Sequence, residues 1–259
     1  MLWVAKISGT LALVWLASYV MRRWGGLLAG MLVGFPVMTA PVAFFMAFEQ
    51  GTDFGARSAV GIMLALSGVS AFAVAYATLA RTGVRWPAAM AAAVAVYFVV
   101  SSLAIHLTDH PAAAAAWTFA VVAAGLAVLG RPAAPPEAFI APWWDVWLRM
   151  AITALIVVAV TAAAGALGPK LSAVPATYPA VTSIVAPFVH ARSGADAASA
   201  VMRGVLLSHI SFVVLFAVVA ALIETSGVAA AYACGLAASL GVSAMVIAAD
   251  RRLQHRARR

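Results

Sequence analysis

The residues best suited to handling a polar guest sit around prolines in the middle of two apolar segments. Proline inside a helix removes one backbone hydrogen bond and clashes with the carbonyl four residues earlier. Pro36 and Pro41 release the carbonyls of Leu32 and Val37, and Pro179 and Pro187 those of Pro175 and Ser183. Hydroxyls stand in the same turns: Thr39 in one segment, Tyr178, Thr182 and Ser183 in the other. In hydrocarbon an unpaired carbonyl costs several kcal/mol unless protein, water or a ligand satisfies it. Carbonyls and hydroxyls converging near mid-membrane could coordinate a cation or the polar part of a solute. A plainer alternative stays open, in which the prolines only kink the helices and the threonines bond their own backbone.

The two segments are copies. The stretch from Gly34 to Gly61 aligns without a gap on that from Thr177 to Gly204. Pro36 falls on Pro179, Thr39 on Thr182, Phe45 on Phe188, Gly51 on Gly194, Asp53 on Asp196 and Gly61 on Gly204. The following helix repeats a small-residue stripe: Gly61, Ala65 and Gly68 align with Gly204, Ser208 and Ser211. Small stripes let helix backbones approach closely. Packed against a broken helix, this one would place Ser208, Ser211 and the neighbouring His209 near the proposed site. Duplicated halves with interrupted helices are characteristic of membrane carriers.

Composition requires lipid as the solvent. The chain is 65% apolar and 9% charged, outside the range of soluble domains. Its net charge of +8 does not indicate nucleic acid, because the arginines lie between apolar runs and at the C-terminus. Cys234 is the single cysteine, which excludes an internal disulfide. The first apolar run lacks a basic lead and a cleavage site, so it reads as a span rather than a signal peptide.

A spanning helix needs about 20 apolar residues. Nine runs qualify: 3–20, 26–48, 58–80, 87–107, 111–129, 146–167, 171–189, 200–223 and 228–249. The expected fold is therefore all-α and polytopic. One four-helix repeat occupies 1–108, a connector helix and interfacial loop 109–145, a second repeat 146–250, and a basic tail 251–259. An odd number of crossings between the copies inverts the second. Arg22, Arg23, Arg81, Arg85, Arg131, Arg149, Arg192, Arg203 and the tail arginines fall on one side. Lys6, Arg57 and Lys170 fall on the other, with Glu49, Asp53, Asp109 and Glu224. The basic side should be cytoplasmic, putting the N-terminus out and the C-terminus in at a bacterial inner membrane. Trp24, Trp86, Trp143, Trp144 and Trp147 mark the same inner boundary.

Charged residues flank the turn of each copy. Glu49, Asp53 and Arg57 surround the outer turn, and Arg192, Asp196 and Arg203 the inner one; they could gate opposite faces. No carboxylate lies at the centre of a span, where a charge costs roughly 2.5–3.5 kcal/mol. His209 is the one titratable side chain deep within a run, His106 and His190 being shallower. No paired carboxylates, nucleophile elbow or phosphate-binding glycine loop occur. The expectation is a protein without catalytic residues, metal or cofactor, surrounded by membrane lipids and acting on a small-molecule or lipid substrate. Homodimerisation stays open.

Each copy resembles the small four-helix membrane proteins of the GlpM type and their uncharacterised relatives. The resemblance rests on "GGLLAGMLVGFPVMTAPVAFFMAFEQG" from Gly25 and "GARSAVGIML" from Gly55. Pro36 matches the family's mid-helix proline and Arg57 the arginine that opens its next helix. The second copy departs from this, with Ala200 at the arginine position and Arg203 one turn deeper. The resemblance implies an inner-membrane protein connected with alginate or glycerol phosphate metabolism. The leading expectation is a transporter of a small or amphipathic solute with its site at Pro36, Thr39, Pro179 and Thr182, supported by Tyr178, Ser183, Ser208 and His209. The rivals are a non-transporting accessory subunit of an envelope polymer or lipid pathway, and a lipid flippase or scramblase.

Overall fold

The computed structural model describes residues 39–130 and 168–257, together with Trp144, Trp147, Ala151 and Leu155. Among these residues the fold is all-helical. The expected run 3–20, most of 26–48, 131–145 and 146–167, and Pro36 lie outside them. The first half supplies α1 (Thr39–Gln50), α2 (Thr52–Arg81), α3 (Trp86–Ala104) and α4 (Pro111–Leu129). A short helix over 168–176, α5, follows. The run Ala180–Ala257 is interrupted by non-helical backbone at Gly194 and Gly227. It comprises α6 (180–193), α7 (195–226) and α8 (228–257).

Four stretches are long and apolar enough to cross a membrane: Thr52–Arg81, Trp86–Ala104, Pro111–Leu129 and Val185–Ala249. The last, at 65 residues, is about three bilayer cores long at 1.5 Å per residue, so its breaks are necessary. The predicted run 171–189 is two helices, separated by residues 177–179. The run 26–48 is represented by α1, which extends two residues beyond it. The basic tail is no separate element as far as residue 257, because α8 continues through it.

Proline sets two helix starts. Pro87 and Pro111 occupy the first turns of α3 and α4, where the missing N–H has no intrahelical partner to lose. Single glycines make the sharpest turns. Gly51 (φ 93°, ψ 172°) and Gly194 (φ 85°, ψ −179°) adopt the same conformation at equivalent places in the two copies. That region is essentially closed to residues with a Cβ.

Helix α2 is the axis of the molecule. Of its most apolar window 83% is buried, against 28% for α3 and α4. The outer helices leave broad apolar surfaces, including Phe98, Leu103, Trp117 and Val128, which suit lipid. Small residues make the central position feasible. A Cβ on Gly61 would lie 2.9 Å from the Lys170 Cα, and one on Gly68 would lie 1.9 Å from Ser101 Oγ. The stripe therefore packs α2 against α5 and against α3.

Helices α2 and α7, which are aligned in the repeat, run antiparallel. Gly55 lies against Ile223, Ser70 bonds His209, and Ala77 accepts a hydrogen bond from Ser199. Connector α4 lies along both. Thr118 donates to the carbonyl of Met63 in α2 at 2.7 Å, and Gly125 receives Leu206 and Val74.

Candidate functional site

The break over 177–179 is the densest polar locus among the described membrane residues. Pro175 and Pro179 bracket it. Tyr178 N donates to Pro175 O at 3.3 Å, and Ser183 N restarts the ladder on Pro179 O at 2.8 Å. The Pro175 carbonyl released by Pro179 is thus taken up by the backbone. Other carbonyls here are met by side chains from distant elements. Thr39 Oγ1, at the start of α1, donates to Ala176 O at 3.0 Å. Tyr97, on α3, donates its hydroxyl to Val174 O and lies 3.0 Å from Thr177 Oγ1. Thr177 bonds back to Ala173 O at 2.9 Å, and Ser183 to Pro179 O at 2.9 Å.

Aromatic faces enclose one side. The Tyr178 ring meets Tyr97 edge-on at 5.5 Å and stacks on Phe98 at 6.0 Å. Its hydroxyl accepts from Ser183 at 3.3 Å. The structure therefore brings together four of the sequence-selected residues: Thr39, Tyr178, Pro179 and Ser183. Thr182 is buried in the next turn.

Three other candidates are directed elsewhere. Ser208 donates to Val205 O at 2.6 Å and Ser211 to Ser208 O at 2.8 Å, so each serves its own helix. His209 is buried; its Nδ1 lies 2.9 Å from Ser70 Oγ at the α2–α7 crossing. Two turns along α2, Tyr76 pairs with the half-buried His190 at 3.2 Å.

The charges divide between the ends of the bundle. Asp53 and Arg57 form an exposed pair within the first turns of α2, at 3.0 Å, and bridge nothing else in that contact. The outer contact between elements is different. Lys170, at the start of α5, pairs with Asp109 at 2.6 Å and donates to Thr108 O at 2.8 Å. The bond from Lys170 holds the Asp109 carboxyl below the usual range. At the opposite end, Arg203 Nε donates to Gly130 O, beyond the last turn of α4, at 2.8 Å. Arg192 lies over the Phe188 ring at 4.9 Å, while Glu49 and Asp196 are exposed.

Sequence reasoning missed Tyr97, Thr177 and Ser70 as site residues, and the pairing of Lys170 with Asp109. Thr177 and Lys170 carried a signal, since one opens the second copy and the other is an isolated outer cation. Tyr97 and Ser70 sit in plain apolar helices with no local cue. Among the described residues, no three His, Cys, Asp or Glu side chains are placed to hold a metal ion. No protein-family model matches the chain, and no curated protein or solved structure matches it either.

Proposed function

We propose that the chain is a bacterial inner-membrane transporter of a small or amphipathic solute, built from two inverted, GlpM-like four-helix repeats across nine spans. Its N-terminus is outside and its C-terminus inside. The observation that carries this reading is the Thr39–Ala176 hydrogen bond, which joins α1 of the first copy to the break at the start of the second. The antiparallel α2–α7 pair and the matching Gly51 and Gly194 backbones support inversion. Carbonyls and hydroxyls at the meeting point can bind a polar group. Alternating access follows from one repeat rocking against the other. Lys170 on Asp109 and Arg203 on Gly130 O serve as the outer and inner contacts that such rocking breaks in turn.

The test is a deletion strain screened for altered accumulation of many compounds, followed by uptake of the responding compound into vesicles. Thr39→Val combined with Thr182→Val should abolish uptake while leaving the protein folded; unchanged uptake sinks the proposed site. One observation favours the accessory-subunit reading instead. The hydroxyl protons of Thr39, Tyr97 and Thr177 all have backbone acceptors at the break, as a solid core would require. Under that reading the deletion alters an envelope polymer or lipid and leaves solute accumulation unchanged.

A further inference from the structure

The α2–α7 crossing holds polar groups that no local backbone defect explains. Both helices are continuous there, so no released carbonyl calls for a side-chain donor. His209 nevertheless sits buried beside Ser70, Nδ1 to Oγ 2.9 Å. One turn away on α2, the fully buried Ser67 hydroxyl has no hydrogen-bond partner. An imidazole and a bonded hydroxyl thus meet midway along both helices, with an unsatisfied hydroxyl one turn away on α2. An ionisable side chain within a membrane bundle is by default a functional candidate.

A second hydroxyl–imidazole pair lies toward the basic end. Tyr76 is six residues beyond Ser70, about 9 Å along the helix, and bonds His190 at 3.2 Å. His190 is only half-buried, next to the exposed residues 191–194. Each pair joins α2 to a segment of the second copy, so protonation at either would act on the interface between copies.

His209 lies in neutral surroundings. From α2 it faces Ser70, and on its own helix it meets the edge of Phe212. Connector α4 contains no titratable side chain. The nearest charged group on α7 is Arg203, engaged with Gly130 O; Arg81 and Arg192 mark the basic end, and Glu49, Asp53 and Arg57 the other.

We propose that the Ser70–His209 pair reversibly binds a proton, loaded from the basic end through His190 and Tyr76. Given the transporter reading, on which this step rests, the proton is the coupling ion. Protonation places a full charge between α2 and α7, so the loaded state favours their separation, and release lets them close.

The test is nitrogen NMR of the full chain with labelled histidine, in bilayer discs of phosphatidylethanolamine and phosphatidylglycerol. His209→Gln identifies the resonance. Should that variant fail to fold, Ser70→Ala identifies it by shifting the same resonance alone. The expected result is exchange of His209 between neutral and protonated forms at a pH within about 4 to 9. Tyr76→Phe should slow that exchange by about tenfold or more. A resonance fixed in one neutral tautomer from about pH 4 to 9 overturns the site, and an unaltered rate in Tyr76→Phe overturns the route. Solute uptake is measured separately. A titrating His209 in a protein that moves no solute sinks the transporter reading and leaves the proton site standing. Uptake alongside a silent His209 does the reverse.

Discussion

The break over 177–179 and the α2–α7 crossing are both polar loci in apolar surroundings, yet their polar groups have different origins. At the break, the interrupted helix leaves the Ala176 carbonyl to the Thr39 hydroxyl, and the Tyr97 hydroxyl joins the Thr177 amide on Val174 O. Thr39 and Tyr97 each terminate on a main-chain oxygen. At the crossing the main chain is complete, and Ser70 and His209 bond one another. A hydroxyl that repairs the backbone belongs to the scaffold as well as to the proposed site. A side-chain pair without such a task is held for another reason.

The largest expected effect tests the scaffold role. Thr39→Val with Tyr97→Phe leaves the carbonyls of Ala176 and Val174 without those donors. Val174 O keeps the Thr177 amide and hydroxyl, so one buried group is left unsatisfied, and thermal unfolding in bilayer discs should show a loss of about 1–3 kcal/mol. A loss under about 1 kcal/mol would erase the contrast. Similar in size are Gly51→Ala and Gly194→Ala. A Cβ at either glycine meets open space, so the cost is backbone conformation alone, about 1–3 kcal/mol each. Equal penalties would show that the turns are energetically equivalent. Replacing both partners at the crossing, Ser70→Ala with His209→Leu, should cost less than about 1 kcal/mol, since neither partner is left unpaired. A larger penalty would return the pair to the scaffold.

The smallest effect concerns Asp109, whose carboxyl Lys170 holds below its ordinary value. Its contribution is complete above the unfolded carboxylate's pKa and is lost as pH falls through the depressed folded value. Because the carboxylate is exposed, the contribution is small. Asp109→Asn should lower the melting temperature slightly at neutral pH and converge with the parent protein in strong acid. A difference that persists in acid would assign the effect to packing.

Much of the helical layout was legible because lipid imposes a simple rule on composition. The runs 58–80, 87–107 and 111–129 fall within or nearly within α2, α3 and α4. Gly51 and Gly194 were readable as a matched pair, since a gapless repeat puts equal residues in equal turns. The ends of helices were less legible. α2 starts at Thr52 because polar Thr52 and Asp53 continue the helix beyond its apolar stretch. Tyr97 was hidden for a related reason: its ring reads as one more apolar residue, and its acceptor Val174 lies 77 positions away. Composition reveals which helices enter a membrane, whereas cross-chain hydrogen bonds depend on their rotation about their axes.

Reversals at Gly51 and Gly194 confine the change of direction to one residue each. A hinge that short stores no spare length, so the helices on either side must travel as a single lever. It also offers a poor foothold to proteases and little tolerance for an inserted tag. Lengthening either by a few residues would uncouple the two helices that it joins.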